Sequence, residues 1–172
     1  MANTYIAIAT TTVGPSGITT IEFASIPQTY TDLALKVSAR MNRAVDRQSL
    51  NVWFNSSTGS WSGIRLAGYD SGSTLSDTSS TTYYQIPQGV GTTATASTFS
   101  NSEYYIPNYT SSNKKSISSD SVTENNSSTS WIVDLGAGLW SNTAAITNIK
   151  IDGNGWDFLQ YSTATLYGIK KD

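Results

Sequence analysis

The sequence contains no cysteine and no histidine. Without cysteine there is no disulfide framework, no thiolate nucleophile and no zinc–thiolate site. Without histidine the chain lacks the most frequent general base and the commonest ligand of transition metals. It also lacks the glycine-rich loop that binds phosphates and the motif that presents a nucleophilic serine. We therefore predict that the protein is not an enzyme and that it binds no cofactor.

Charged side chains are scarce as well. They make up 13% of the chain, and the formal net charge is −2. This balance gives no electrostatic reason to expect nucleic acid or an anionic membrane as a partner. The opening MANTYIAIATTTVG has no basic stretch followed by an apolar core, so we expect no signal peptide. No apolar run has the length that a membrane span requires.

One segment, IDGNGWDF (151–158), is similar in composition to a calcium-binding loop. An EF-hand loop requires oxygen donors at positions 1, 3 and 5 and a bidentate glutamate at position 12. With Asp152 at position 1, position 5 is Trp156, so the spacing fails and we predict no metal site. The glycines instead favour a tight turn. The segment is predicted to be a hairpin between strands at 148–151 and 158–171.

Alternation of apolar and polar residues with a period of two is the clearest pattern in the chain, and it is typical of strands with one buried face. In DLALKVSARM (32–41) the residues predicted to face the core are Leu33, Leu35, Val37, Ala39 and Met41. LNVWFN (50–55) repeats the pattern. In SWIVDL (130–135) the residues predicted to point inward are Trp131, Val133 and Leu135.

Strand candidates follow one another along the whole chain, and no long stretch has the periodicity of a helix. They lie at 4–12, 18–25, 31–41, 49–55, 60–69, 82–86, 97–106, 114–123, 129–136, 145–152 and 158–170, of which one or two are expected to be false. The stretch 114–123 is a candidate exposed edge strand, and SGSTLSDTSST (71–81) is predicted to be a long loop. We predict an all-β fold, an antiparallel β-sandwich of the jelly-roll type, formed by residues 1–172 as one domain.

Glu103 is the carboxylate with the most glycosidase-like surroundings, because tyrosines follow it in NSEYYIP. Glycosidases require a second carboxylate about 5 to 10 Å away, and the sequence identifies none. We therefore interpret Glu103 as a solvated strand residue.

Three arginines in RMNRAVDR (40–47) form the densest positive group of the sequence: Arg40, Arg43 and Arg47. Without interleaved aromatic residues the group does not indicate nucleic-acid binding. It is interpreted either as a solvated loop or as a contact with an acidic protein neighbour. Our preferred functional interpretation is partner binding by these three residues.

Two adjacent pairs of tyrosines, Tyr83-Tyr84 and Tyr104-Tyr105, lie in strand candidates. Alternation places one ring of each pair outside the core. Outward rings on a β-sandwich stack on sugars or become buried at a protein interface. The pairs are therefore candidates for core filling, for an interface, or for binding of a glycan.

The two ends of the chain share a pattern with known proteins. The chain opens with NTYIAIATTTVG and ITTIEFASIPQTYTDLALKVSAR, and it closes with NIKIDGNGWDFLQYSTATLYGIKKD. The segments IPQTYTDL (26–33) and STATLYGIK (162–170) carry the pattern. They resemble small virion structural proteins of tailed bacteriophages, particularly those of marine and cyanobacterial phages. The resemblance covers residues 3–40 and 148–172, and the middle of the chain is outside it.

The resemblance implies a jelly-roll module on the virion surface, made in the cytoplasm of a bacterial host. It implies a capsid decoration or cement protein on the outer shell or, alternatively, a tail fibre or receptor-binding tip that recognises host surface glycans. The implied partners are the major capsid protein or other virion proteins, together with further copies of the chain in a homo-oligomer. A trimer is favoured among the oligomers. The absence of a heptad or repeat region favours decoration over a fibre.

Overall fold

The computed structural model describes residues 4–69, 72, 74–79, 82–85, 88–123, 126 and 131–170, and its regular elements are β-strands. The strands are β1 Tyr5–Thr12, β2 Thr20–Phe23, β3 Asp32–Ser38, β4 Arg47–Ser49, β5 Asn51–Phe54, β6 Trp61–Tyr69, β7 Thr74–Ser79, β8 Gln88–Val90, β9 Asn101–Ile106, β10 Lys115–Val122, β11 Ile132–Trp140, β12 Ile149–Asp152 and β13 Thr163–Ile169. No helix long and apolar enough to cross a membrane occurs in these residues.

The strands form one large and two small antiparallel sheets. The large sheet has eight strands in the order β1-β13-β3-β9-β10-β11-β6-β7. A three-stranded sheet, β2-β12-β5, packs against its inner face, and β4 pairs with β8 in a two-stranded sheet. The predicted all-β fold, an antiparallel β-sandwich, is confirmed.

The core lies between the two larger sheets. On the β3 segment, all five residues predicted to face the core are buried, from Leu33 to Met41. Phe54, on the small sheet, reaches across to two tryptophans of the large sheet. Its ring centroid lies 4.9 Å from that of Trp61 and 5.7 Å from that of Trp140. Burial of these large rings contributes much of the free energy that holds the sheets together.

The predicted hairpin at 151–158 is wrong. The strand before this segment, β12, pairs with β2 and β5 in the small sheet, whereas the strand after it, β13, pairs with β1 and β3 in the large sheet. Between them Phe158 exchanges backbone hydrogen bonds of 3.1 and 2.7 Å with Ile18. The turn residues Asn154 and Gly155 have φ angles of 55° and 90°, as a tight turn requires. The segment therefore turns the chain from one sheet to the other.

Several strand boundaries also differ from the predictions. The predicted loop at 71–81 contains β7, which pairs with β6, and the candidate edge strand at 114–123 lies inside the large sheet, between β9 and β11. The candidate strand at 82–86 is reduced to a backbone bridge between Tyr84 and Val52. Strands β4 and β8 were not predicted. The predicted positions 71, 73, 80, 81, 86, 129, 130 and 171 are outside the described residues.

The largest error concerns the face of β11. Ile132 and Asp134 are buried, whereas Val133 and Leu135 are 40% and 54% exposed, and Trp131 precedes the strand. The alternation in 130–135 predicts the opposite face to be buried, and this prediction is wrong. A shift by one residue moves every side chain of a strand to the other face of the sheet. The outer face of the large sheet is therefore apolar where a solvated face was expected.

Candidate functional site

The outer face of strands β6 and β11 carries a group of exposed apolar side chains, which we call the outer sheet patch. It consists of Ile64 (57% exposed), Leu66 (53%), Val133 (40%), Leu135 (54%) and Leu139 (36%). The register sets Leu66 directly opposite Leu135, so the side chains of the two strands lie together. A strand with one solvated face normally places its polar residues outward. Here the arrangement is reversed.

A buried ion pair explains the reversal on the inner side of the same strands. Arg65 Nε donates to Asp134 Oδ1 at 2.5 Å, and the carboxylate side chain is 0% exposed. Burial raises the pKa of Asp134, and the neighbouring guanidinium acts in the opposite direction. Because both charged groups point inward, the alternating neighbours Leu66, Val133 and Leu135 must point outward.

The inner face of β11 is further shaped by the ring of Tyr84. A Cβ atom on Gly138 would lie 2.6 Å from two ring carbons of this tyrosine, so the ring fills the space of a side chain. The Tyr84 hydroxyl hydrogen-bonds to Ser119 Oγ at 2.8 Å, and burial raises the pKa of Tyr84 to about 12. The glycine therefore allows β11 to approach a ring that belongs to the core.

A shallow groove of about 540 Å³ runs along the outer sheet patch. Its apolar wall is formed by Ile64, Leu66 and Leu135, and its polar wall by Glu103, Tyr105 and Asp120. A second hollow of about 400 Å³ lies on the other side of Leu66, towards β7. The two hollows together extend over β9, β10, β11, β6 and β7, so the surface is broad and open.

Of the two carboxylates in the polar wall, Glu103 forms an ion pair and Asp120 forms none in the part of the chain that the structure describes. Glu103 Oε2 lies 3.1 Å from Lys36 Nζ, and the hydrogen bond and charge of Glu103 raise the pKa of Lys36. Tyr105 donates its hydroxyl hydrogen to Asp32 Oδ2 at 2.8 Å. Asp120 is exposed and has no ion-pair partner among the described residues. The wall therefore keeps one uncompensated carboxylate.

The three predicted arginines lie in different environments. Arg40 is 9% exposed, and its guanidinium donates to the backbone oxygens of Thr95 at 2.8 Å and Ala94 at 3.1 Å. Burial lowers the pKa of Arg40. The prediction of partner binding by Arg40 is thus corrected, because its hydrogen bonds hold the loop that precedes β9.

Arg43 and Arg47 are half-buried and make contacts within the chain. The guanidinium carbon of Arg43 lies 5.6 Å from the ring centroid of Trp156, and that of Arg47 lies 5.1 Å from the ring of Tyr69. Cation–π contacts of this kind contribute about 0.5–1 kcal/mol at exposed sites. Arg43 and Arg47 therefore each contact an aromatic ring of the same chain, and partner binding by these two residues stays a prediction.

Of the four candidate tyrosines, Tyr84 and Tyr104 are 0% exposed and cannot bind a glycan. Their rings pack edge to face in the core with centroids 6.5 Å apart. Tyr105 is 39% exposed on the outer face, and Tyr83 is half-buried against the ring of Trp53. Alternation correctly placed one ring of each pair outside. It did not identify which one.

Asp152, for which the spacing predicted no metal site, is engaged in a network on the outer face of the small sheet. Its carboxylate accepts hydrogen bonds from Asn51 Nδ2 at 2.7 Å and Trp53 Nε1 at 2.5 Å. Lys150 Nζ lies 3.8 Å from the same carboxylate and 4.2 Å from the Trp53 ring centroid. Within the described part of the chain, no group of three acidic side chains could hold a metal ion. Asp152 instead organises the polar side chains around Trp53.

The outer sheet patch was not predicted, because hydrophobicity favours the burial of apolar residues in the core. The sequences IRL (64–66) and VDL (133–135) each place a charge between two apolar residues. This pattern shows that the apolar pair shares a face, but not which face is buried. The sequence feature that could have identified the buried face is the opposite charge of Arg65 and Asp134. Charged residues are rarely buried unless they pair.

Comparison with known proteins gives one similar structure. No protein-family profile matches the sequence, and no curated protein is significantly similar to it. Among solved structures, the chain is similar to galectin LEC-6 of Caenorhabditis elegans, with 12% sequence identity and a TM-score of 0.38. The alignment covers 91% of this chain and 94% of the galectin. A likeness this distant carries no argument about function.

Proposed function

We propose that the protein is a bacteriophage virion structural protein that decorates the outer shell of the capsid. It acts as a non-catalytic module that docks through the outer sheet patch onto the major capsid protein or a neighbouring virion protein. The observation that carries the proposal is the exposure of Ile64, Leu66 and Leu135, each more than half exposed, on one sheet face. The resemblance of both ends of the chain to virion proteins is the reason for proposing the virion as its location.

The physical reason for docking is that the outer sheet patch gains free energy when it is covered. Full burial of a leucine or isoleucine side chain contributes about 1.5–3 kcal/mol. Because Ile64, Leu66 and Leu135 are about half exposed, each has roughly 1 kcal/mol still to gain from a partner. Contiguous exposed apolar patches on soluble proteins mark interaction sites. A shell that repeats one docking position many times suits a small module with one such face.

The copy number per particle tests this proposal. Particles are purified from the phage that encodes the chain, and its band is compared with that of the major capsid protein by quantitative gel densitometry. Decoration of the shell predicts on the order of hundreds of copies, since the capsid repeats its docking position over the whole surface. A copy number near about six or about eighteen, typical of symmetric tail parts, would contradict capsid decoration.

A second candidate function is recognition of host glycans by a tail fibre or receptor-binding tip. The ring pair Trp53–Tyr83, with centroids 4.9 Å apart, favours it, because Trp53 Nε1 also donates a hydrogen bond to the Asp152 carboxylate. Next to Trp53, Asn51 Oδ1 accepts a hydrogen bond from Gln85 Nε2 at 2.9 Å. Rings beside oriented amides are the groups that sugars contact.

Titration with surface polysaccharide of the bacterial host, followed by tryptophan fluorescence, tests the second candidate. Glycan recognition at this position predicts that Tyr83→Ala abolishes the fluorescence change. The matched control Tyr105→Ala removes a ring on the opposite side of the sandwich and leaves the change intact. No change with the unmodified protein, or equal loss with both variants, counts against this site.

A further inference from the structure

The groove beside the outer sheet patch has two chemically different walls in one cross-strand row. The registers place Leu66 opposite Leu135, Leu135 opposite Asp120, Asp120 opposite Glu103, and Glu103 opposite Lys36. Neighbouring strands lie about 4.8 Å apart. An apolar pair is thus followed, one strand further, by a carboxylate on the same face.

The carboxylate nearest to the apolar pair is the uncompensated one. Glu103 is paired with Lys36 at 3.1 Å, so this pair contributes no net charge. Asp120 is exposed, has no ion-pair partner among the described residues, and lies between Leu135 and Glu103 in the row. An occupant of the groove therefore meets apolar side chains on one side and a net negative charge on the other.

This chemistry selects among the possible occupants. An anionic ligand is disfavoured by Asp120, and an open groove on a broad sheet encloses a small molecule poorly. A second copy of the chain would have to present a free basic group beside apolar residues of the same face. Lys36, which lies in this row, is already engaged by Glu103. The row therefore fits a different protein surface better than the same face of a second copy.

Resting on the proposed function, we propose that the groove binds a segment of a capsid protein in which apolar side chains lie next to a lysine or arginine. The apolar side chains cover Leu66 and Leu135, and the basic group forms an ion pair with Asp120. Electrostatic complementarity of this kind fixes the orientation of a partner and adds specificity. Val133 and Leu139 extend the contact along β11, over seven residues or about 20 Å of strand.

The experiment measures binding of the purified protein to heads isolated from a phage that lacks its gene. Binding is followed by co-sedimentation at low and high salt for the unmodified chain and for Leu66→Asp, Asp120→Asn and Asp120→Lys. Two matched controls change comparable groups elsewhere: Tyr161→Asp, at a side chain 68% exposed, and Glu22→Gln, at an exposed carboxylate on the small sheet. Circular dichroism and thermal melting confirm that each variant is folded.

The expected result is a graded loss of affinity. Leu66→Asp weakens binding at least about a hundredfold, because it places a charge in the apolar contact. Asp120→Asn weakens it about threefold to tenfold and removes most of the salt dependence, and Asp120→Lys weakens it further. Both controls bind as the unmodified chain does.

Other results overturn specific parts of the proposal. If Leu66→Asp binds heads normally, the groove is not the docking surface, although decoration of the capsid stands. If Leu66→Asp fails but both Asp120 variants bind normally at both salt concentrations, the basic partner group is wrong. If Leu66→Asp only dissociates a homo-oligomer in solution, the face is a self-interface. If the unmodified chain binds no heads, the proposed function and the capsid partner both fail.

Discussion

Strand β11 offers a direct comparison between a buried and an exposed apolar residue, three positions apart in the same strand. Ile132 is 0% exposed and Leu135 is 54% exposed. Truncation of a fully buried isoleucine to alanine costs about 2–5 kcal/mol, because it removes buried methyl groups and leaves a cavity. About half of the Leu135 side chain is already in water, so Leu135→Ala lowers the free energy of unfolding by roughly 1 kcal/mol or less. Alanine lowers strand propensity at both positions, so this effect cancels in the comparison.

Urea unfolding measures the two costs. Fluorescence of Trp61 and Trp140, which are 2% and 1% exposed, reports the loss of the core. With a slope of about 2 kcal/mol per molar urea, Ile132→Ala lowers the midpoint by about 1 M or more, and Leu135→Ala lowers it by about 0.5 M or less. If Leu135→Ala destabilises the protein as much as Ile132→Ala or more, the assignment of faces on β11 is wrong, and with it the outer sheet patch.

Three further predictions concern ionisation and assembly. Because burial raises the pKa of Tyr84 to about 12, the native state keeps this proton above the ordinary tyrosine pKa of about 10. Stability therefore falls from about pH 10 towards pH 12, by up to roughly 3 kcal/mol from this residue. Phenolate absorbance, measured as the pH is raised, should increase together with unfolding. Rapid titration of all tyrosines in the folded protein would refute this prediction for Tyr84. Arg65→Met leaves the buried Asp134 unpaired and should cost about 3–5 kcal/mol at neutral pH. This loss of unfolding free energy becomes smaller in acid, because the carboxyl is then protonated. Urea unfolding at neutral and at acidic pH measures it, and an equal loss at the two pH values argues against the buried pair. Light scattering at about 20–50 µM should show a homo-oligomer, with a trimer favoured; a monomer would contradict this.

The sequence predicted the fold class because period-two alternation is a local property of strands. The β3 segment shows this well, since Leu33, Leu35 and Val37 alternate and are all buried. The same reasoning could not distinguish a hairpin from a crossing between sheets. The segment around Asn154 has the glycines of a tight turn in both cases, and the partners of β12 and β13 are set by long-range pairing.

The candidate site was not predicted because alternation does not identify the buried face. For VDL (133–135) hydrophobicity favours burial of Val133 and Leu135, whereas the tertiary pairing of Arg65 with Asp134 buries the opposite face. For the tyrosine pairs, local sequence showed that one ring points outward. The space left by Gly138 determines that Tyr84 is the buried member of its pair. Both outcomes depend on side chains distant in sequence.

The most direct test of the account is an electron cryomicroscopy reconstruction of the intact phage particle at a resolution that shows β-strands. Capsid decoration through the outer sheet patch predicts density for this fold at many equivalent positions on the outer shell, with Ile64, Leu66 and Leu135 covered by the capsid protein. A lysine or arginine of the capsid protein should then lie within hydrogen-bonding distance of Asp120. Density for the fold on the tail, or on the shell with this sheet face in solvent, would contradict the account.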